Sequence, residues 1–578
     1  MRSASGEWVR RRQESVSPTF ISRYGPLLGS ILWSRGLQDN ESADYFLNPK
    51  LDQLHSPFVL LNMEQSAKHL ASAILKNEKI AIYADYDMDG MSGLALLVSF
   101  FREIQFANFV HFQPDRLSEG YGVHASAIEV LGEKGVKHII TVDTGISAFD
   151  ADKKCSELGI HFIITDHHKQ IHDLPTTPFV VNPNQNADKS KLNYLSGAGV
   201  AFYLAIALRS VLRDLGFFKN KVEPDLRNLL DLFVLGTIAD HVDLIDDNRI
   251  LVRAGLKMLM TTHRPGVRAL RLKTLPNATL ISARDVAFSM TPKLNAASRL
   301  GQAHLSTEVL ITESEERAEE LVKKLLGLNE KRSQIQAEVF EDAFKQAQDQ
   351  ISLQNPPVLV VHGEWHEGVL GVVAAKLTEK LGRPSIVLTR LEESEILRGS
   401  MRTLAPVSCV KALDACRDLL KRYGGHKMAA GLQLDFSFFE NFRDQLWSKT
   451  RLFLESWSEF EALNFDDELP ENFSTEDVEA LDGGAPWGNG NPEPLFRIFD
   501  VPLAKMQTLS GQHLKCQWNG GNTLIGFFKS DEFDQLKKAG VTHFDALVTP
   551  EINRFRNQKN VQLRLNYVRP SQARHSST

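Results

Sequence analysis

Asp85, Asp87 and Asp89 stand at alternate positions in Ala84-Asp85-Tyr86-Asp87-Met88-Asp89-Gly90, directly after the apolar run Lys79-Ile80-Ala81-Ile82-Tyr83. The run reads as a buried strand, and Ser92-Gly93-Leu94-Ala95-Leu96-Leu97 beyond the aspartates reads as a helix. Three carboxylates leaving a buried strand repel one another unless something positive lies among them. A hard divalent cation meets that need. An acidic surface turn and a calcium loop share the same spelling, so the triplet by itself leaves these readings open.

The surrounding pattern narrows them. Apolar runs at 109–112, 138–142, 161–165 and 179–181 alternate with amphipathic stretches, which indicates an α/β domain with a mainly parallel sheet. In such sheets ligands bind outside the carboxyl ends of the strands. Asp143 follows the strand ending at Val142, and Asp166-His167-His168 follows the one ending at Thr165. Asp240 stands where the long apolar helix pattern Leu235-Gly236-Thr237-Ile238-Ala239 runs out. Taken singly, Asp143 caps a turn, the histidines sit on a surface, and Asp240 ends a helix. Taken together, those readings require unrelated coincidences at one sheet edge, whereas a metal-binding constellation explains all of them.

These motifs, in this order, resemble those of the DHH phosphoesterase superfamily. Phe112-Gln113-Pro114-Asp115-Arg116 with Glu119-Gly120-Tyr121-Gly122, and Ser196-Gly197-Ala198-Gly199-Val200-Ala201-Phe202, are more narrowly similar to the RecJ family of bacterial single-strand-specific exonucleases. The resemblance implies two divalent ions, manganese or magnesium. Asp85 with Asp87 would hold one, Asp89, His167 and Asp240 the other, and Asp143 would bridge them. His168 would face the scissile phosphate, with Asp166 orienting a neighbouring histidine. Carboxylates favour Mn²⁺ or Mg²⁺ over zinc, and an imidazole ligand tilts the choice towards Mn²⁺. Asn295 and Arg299, in Pro292-Lys293-Leu294-Asn295-Ala296-Ala297-Ser298-Arg299, would contact substrate; Ser298 departs from the family's usual glycine.

Residues 1–311 are expected to form the DHH catalytic domain with an N-terminal extension, and 312–350 a long connecting helix with Leu321, Leu325, Leu328, Ile335 and Val339 at helical spacing. A smaller α/β domain is expected over 351–460. There a loop containing His366 and Gly368 leads into a helix N-terminus, a natural anion site, and the glycine pair Gly424-Gly425 before His426 permits close backbone approach. With Arg398-Gly399-Ser400-Met401-Arg402 these stretches resemble the DHH-associated domain, which implies that His366, Gly368, Ser400, Arg402, Gly424, Gly425 and His426 grip a nucleic-acid strand. After the Gly/Pro-rich stretch 483–492, five strand-like runs in 465–578 suggest an OB-type β-barrel. Lys515, Trp518, Phe528, Arg554, Lys559 and above all Phe555 and Arg556 offer charge and stacking surface there; about half of the aromatics would be barrel core.

Net charge is −6, so any nucleic-acid surface must be local. The four cysteines show no paired spacing, which suits a reducing cytoplasm. The segment 1–13 lacks the apolar core of a signal peptide, and the nearly uncharged stretch 192–208 reads as a buried helix, since a membrane span needs roughly 20 strongly apolar residues. The leading expectation is therefore a two-metal exonuclease on single-stranded DNA, 5′-to-3′ by resemblance, working in recombination and repair as a cytoplasmic monomer with a single-strand-binding protein and a helicase as partners. Two alternatives stand beside it. A DHH phosphodiesterase for cyclic dinucleotides or short oligonucleotides would lack the appended barrel, and a non-catalytic replication scaffold would have lost ligands that are all present here.

Overall fold

β1 (Trp8–Arg10) pairs in parallel with a strand more than four hundred residues downstream, Trp8 opposite Leu463. Trp8 is buried with Phe465 and Leu547, and Arg35 Nε lies 3.1 Å from the buried carboxylate of Asp466. The described residues before Pro49 are therefore grouped with the downstream half of the chain. The computed structural model describes residues 7–12, 14–390, 395–404, 407–454, 462–509, 512–518, 522–555 and 558–571. It divides into two units: Pro49–Gln334 with Pro486–Pro492, and Met1–Asn48 with Ile335–Ala485 and Glu493–Thr578.

The first unit is built on β2 (Ile80–Ala84), β3 (Phe109–Phe112), β4 (His138–Val142), β5 (His161–Thr165) and β6 (Phe179–Val181), all parallel in the order β3-β2-β4-β5-β6. Every residue of β2 and β4 is buried because helices cover both faces, which is why these strands read as unbroken apolar runs. The helices Met63–Leu75, Met88–Glu103 and Gly197–Asp214 belong to one core layer, and Ala125–Glu133 and Phe149–Leu158 to the other. After β2 the chain goes first to β3 on one side and then to β4 on the other. The crevice at that reversal, where two connections leave in opposite directions, is where open α/β sheets place their ligands.

The 40-residue helix Glu315–Gln354 contributes Leu321, Val322 and Leu325 to the first unit's core and Val339, Phe340, Ala343 and Ala347 to a core of the second. In the second unit β7 (Leu359–Gly363), β8 (Ser385–Arg390), β9 (Ile396–Arg402), β10 (Arg422–Gly425) and β11 (Ala429–Asp435) form a mixed sheet in the order β10-β11-β9-β8-β7. After β12 (Leu463–Phe465), the C-terminal β-domain comprises β13 (Asp467–Glu468), β14 (Phe496–Pro502), β15 (Gln507–Leu509), β16 (His513–Trp518), β17 (Asn522–Gly526), β18 (His543–Phe555) and β19 (Gln558–Pro570). They make one seven-stranded sheet in the order β13-β14-β18-β19-β17-β16-β15, two strands more than expected, because the short β13 and β15 each add an edge. Burial pushes the thiols of Cys155 and Cys409 up to about 12 and those of Cys416 and Cys516 up to about 11, so none is a nucleophile near neutrality. Among the described residues no helix is long and apolar enough to cross a membrane.

Candidate metal centre

At the carboxyl ends of β2, β4 and β5 the chain keeps strand-like bonds for one more residue. Asp85 N–H donates to the Val142 carbonyl at 3.1 Å and Asp143 N–H to the Thr165 carbonyl at 3.1 Å. This carries the carboxylates just past the sheet edge at the reversal point. Asp87 then caps the helix Met88–Glu103, one carboxylate oxygen accepting from the amides of Asp89 at 2.9 Å and Gly90 at 3.1 Å. Gly90 is required by the turn, since a Cβ there would meet the Asp85 carbonyl oxygen at 2.5 Å. Asp89 is gripped from a distant part of the chain: the Gly197 and Ala198 amides, at the start of the helix Gly197–Asp214, donate to its two oxygens at 2.5 and 3.0 Å. Asp143 adopts φ 61°, a left-handed conformation that Asp tolerates better than most residues.

Among the described residues two groups of ligand atoms, each within 4.8 Å of one another, result here, Asp85, Asp87 and Asp143 in one and Asp89, His167 and Asp240 in the other, and a third, Asp143, His167 and His168, overlaps both. His167 Nε2 lies 3.1 Å from Asp143 Oδ1, 3.5 Å from Asp240 Oδ2 and 3.8 Å from Asp89 Oδ2, so it stands between the groups. Asp166 faces away from them. Its Oδ1 accepts from the His167 and His168 amides at 2.7 and 3.1 Å and lies 2.8 Å from His168 Nδ1, while Oδ2 accepts from the Ile146 amide at 2.9 Å. Thus His168, and not His167, is the histidine that Asp166 orients. Asn182 and Asn184 donate to the His168 and His167 carbonyls at 2.9 and 2.6 Å, and the Tyr121 hydroxyl donates to the Asp143 carbonyl at 3.3 Å and lies 3.2 Å from His168 Nδ1. Sequence reasoning passed over both asparagines; Pro183 between them is the one local sign of a fixed turn.

The electrostatics test whether these residues suit a cation. Burial first, then the neighbouring Asp87 carboxylate, pushes Asp85 well above the usual range and Asp89 up to about 7. Burial, then Asp89, Asp87, Asp240 and Asp85, raises Asp143 well above it, and burial with Asp89 and Asp87 lifts Asp240 to about 9. Oδ1 of Asp85 and Oδ1 of Asp143 are buried and accept no hydrogen bond; the nearby His167 nitrogen is close to the latter but not aligned for one. Orphaned carboxylate oxygens in a crowd of like charges fit a divalent cation, which satisfies the lone pairs and reverses the repulsion. Burial opposes charge on Asp166 and His168 too, but each offsets it for the other: Asp166 is brought down to about 2 and His168 up to about 9. That pair is an ion pair at neutral pH beside the metal groups.

A pH dependence follows. Asp89 and Asp240 lose their protons only near pH 7 and 9 without metal, and a bound ion requires both deprotonated. Divalent-ion affinity is therefore expected to rise with pH across that interval, with protons released on binding. Calorimetric titration in two buffers of different ionisation enthalpy measures this; affinity that is flat with pH and no released protons would remove these carboxylates from the ligand set.

Other candidate residues lie elsewhere. Asn295 and Arg299, four apart on the helix Thr291–Arg299, share one of its faces and are half-buried; Ser298 between them is buried with its hydroxyl unpaired. In the second unit His366 Nδ1 accepts from the Gly368 amide at 3.1 Å, just before the helix Leu370–Leu381. Arg402 Nη1 donates to Ser400 Oγ at 2.5 Å, and a Cβ on Gly371 would meet Arg402 Nη2 at 2.8 Å, so both side chains lie against the first turn of that helix. β11 separates β9 from β10, which ends in the exposed Gly424 and Gly425 (φ 145°) before the exposed His426. In the C-terminal β-domain Phe528 is 67% exposed and Phe527, which sequence reasoning missed, 44%. Lys559 pairs with Glu479 at 2.7 Å, so its charge is already matched. Arg556 and the side chains of Arg554 and Phe555 lie outside the described residues.

Three family models match the chain: DHH family, N-terminal domain, at residues 79–237; DHHA1 domain at 355–451; and RecJ OB domain at 466–567. The chain is 33% identical over 585 residues to the single-stranded-DNA-specific exonuclease RecJ of Haemophilus influenzae, covering 97% of this chain and 99% of that one. To the same-named protein of Bacillus subtilis it is 32% identical, over 93% of this chain and 67% of that one. Its fold matches the crystal structure of RecJ in complex with Mn²⁺ from Thermus thermophilus with TM-score 0.82 and 28% identity, covering 98% of this chain and 80% of that one.

Proposed function

The chain belongs to the RecJ family of single-stranded-DNA-specific exonucleases, and we propose that it is itself a metal-dependent exonuclease that removes nucleotides from single-stranded DNA. The observation that carries this is the pair of ligand groups at the sheet's reversal point, with two buried carboxylate oxygens that accept no hydrogen bond. Asp85, Asp87 and Asp143 would hold one Mn²⁺ or Mg²⁺ ion, and Asp89, His167 and Asp240 a second, with Asp143 shared. When bound, such ions supply a water of lowered pKa and stabilise the entering and leaving oxygens of an in-line phosphoryl displacement.

The chain's own residues supply the rest. His168, held protonated by Asp166, offers an N–H and a positive charge to a phosphate oxygen; its raised pKa also lets it carry a proton towards a leaving alkoxide. Tyr121 buttresses both the His168 ring and the Asp143 backbone. Asn295 and Arg299, and in the DHHA1 domain His366, Gly368, Ser400, Arg402, Gly424, Gly425 and His426, would hold the sugar–phosphate backbone. Phe555 and Arg556, joined by the exposed Phe527 and Phe528, would engage bases and phosphates further along the strand.

By the same likeness we assign 5′-to-3′ polarity, a role in DNA recombination and repair in the cytoplasm, and a monomer that works with a single-strand-binding protein and a helicase. Digestion of 5′- and 3′-labelled DNA and RNA strands with Mn²⁺ or Mg²⁺ tests the reading. Mononucleotides released from the 5′ end of single-stranded DNA are expected, with RNA resistant. Cleavage confined to di- and trinucleotides would favour the phosphodiesterase alternative instead. Light scattering and co-elution with the two partner classes check the assembly.

A further inference from the structure

At the opposite edge of the same sheet three imidazoles converge. His138 and His161 are the first residues of β4 and β5, whose last residues lead into Asp143 and Asp166, and His69 comes from the helix Met63–Leu75. Five residue steps along the chain, roughly 17 Å at strand rise, separate His138 from Asp143 and His161 from Asp166. One ring nitrogen from each histidine lies within 4.8 Å of the other two. His69 Nε2 is 3.1 Å from His138 Nδ1, the His69 and His161 ring centroids are 4.5 Å apart, and the His138 and His161 rings are stacked at 5.1 Å.

We propose that His69, His138 and His161 form a second, independent metal site that binds one borderline transition-metal ion of the zinc class. Three features carry it. Nitrogens on a tetrahedral zinc, each about 2.0–2.1 Å from the metal, stand roughly 3.4 Å apart, and the His69–His138 pair at 3.1 Å already has nearly that separation. The carboxylate of Glu78 lies 2.8 Å from His138 Nε2. That contact places the proton on Nε2 and turns the Nδ1 lone pair to the cluster, the carboxylate–histidine arrangement that supports metal ligands. Third, His138 is buried at 2% exposure and His69 is half-buried, while His161 is exposed. Two ligands are thus positioned by packing, and the third can rotate to close the shell, leaving one position for water.

Burial first, then the nearby His161 and His138 rings, holds the His69 imidazole down to about 4, so that ring is neutral and able to ligate at pH 7. A shell of neutral imidazoles without carboxylate selects Zn²⁺, Ni²⁺ or Cu²⁺ over Mg²⁺ and Mn²⁺, so the two centres of this unit would take different metals. An ion here ties the helix Met63–Leu75 to two strands of the catalytic sheet. The alternative is a plain His69–His138 hydrogen bond with His161 stacked beside it.

The experiment uses the full-length chain stripped of metal, saturated with Mg²⁺ at the carboxylate centre and dialysed against Zn²⁺. Wild type is expected to retain one more Zn²⁺ per chain than His161→Ala and His69→Gln. Glu78→Gln should retain that ion with about 10- to 100-fold weaker affinity. All three variants should degrade single-stranded DNA in Mg²⁺ at the wild-type rate, which shows that they are folded. Retention of the extra equivalent by either histidine variant, or equal zinc content in wild type and both, overturns the proposal.

Discussion

Asp143→Asn is expected to lower turnover by at least about 10²-fold while leaving fold and single-strand binding in place. Asn is the appropriate replacement because Asp143 sits at φ 61°, where Asn is among the few side chains tolerated; Ala would confound lost charge with backbone strain. The substitution keeps shape and removes the carboxylate that belongs to one ligand group and lies 3.1 Å from His167 of the other. Stability supplies a second readout. The folded-state pKa of Asp143 lies well above the unfolded value, so in metal-free protein this group destabilises the fold progressively as pH rises past about 4. At pH 8 the metal-free variant should therefore melt higher than metal-free wild type, and the rise in melting temperature that Mn²⁺ gives wild type should largely disappear. A variant that retains more than about a hundredth of wild-type turnover would show that Asp143 does not bridge the ions.

What the sequence made legible is local. The inner strands β2 and β4 announce themselves as apolar runs because helices bury both their faces, and the carboxylates and histidines at the strand ends follow from the rule that ligands bind there. What it hid depends on pairings across long stretches of chain. The amides that grip Asp89 come from residues 197 and 198, and no periodicity links them to position 89. β1 reads as a short tail until its partner at 463–465 is known. Asp166 could have served either adjacent histidine; the turn that folds its carboxylate back onto two successive amides directs it to His168. The three histidines at the other sheet edge fall at unremarkable positions, two opening strands and one within a helix, and only the register of β4 against β5, His138 opposite His161, brings two of them side by side.

Gly197→Ala should be nearly as damaging to catalysis as loss of a ligand, although Gly197 carries no side chain. Its amide holds Asp89 at 2.5 Å, and a Cβ added to it would stand 2.8 Å from both Cα and Cγ of Asp143. The methyl group must displace either Asp143 or the first turn of the helix Gly197–Asp214, and the latter would move Asp89. Either way the two ligand groups lose their mutual spacing, and a misplacement of about 1 Å costs roughly 10²-fold in rate. Overpacking should also destabilise the fold by about 1–3 kcal/mol. Gly327→Ala is the control. That glycine lies on an exposed face of the helix Glu315–Gln354 with nothing within 4 Å of an added Cβ. There the same methyl should stabilise by about 0.5–1 kcal/mol and leave turnover unchanged. Measuring kcat, Mn²⁺ affinity and thermal midpoints for both variants separates close approach at the centre from a general effect of replacing a helical glycine. A Gly197→Ala enzyme with wild-type kcat and Mn²⁺ affinity would mean that the centre tolerates displacement and that the grip of the 197–198 amides on Asp89 does not set its geometry.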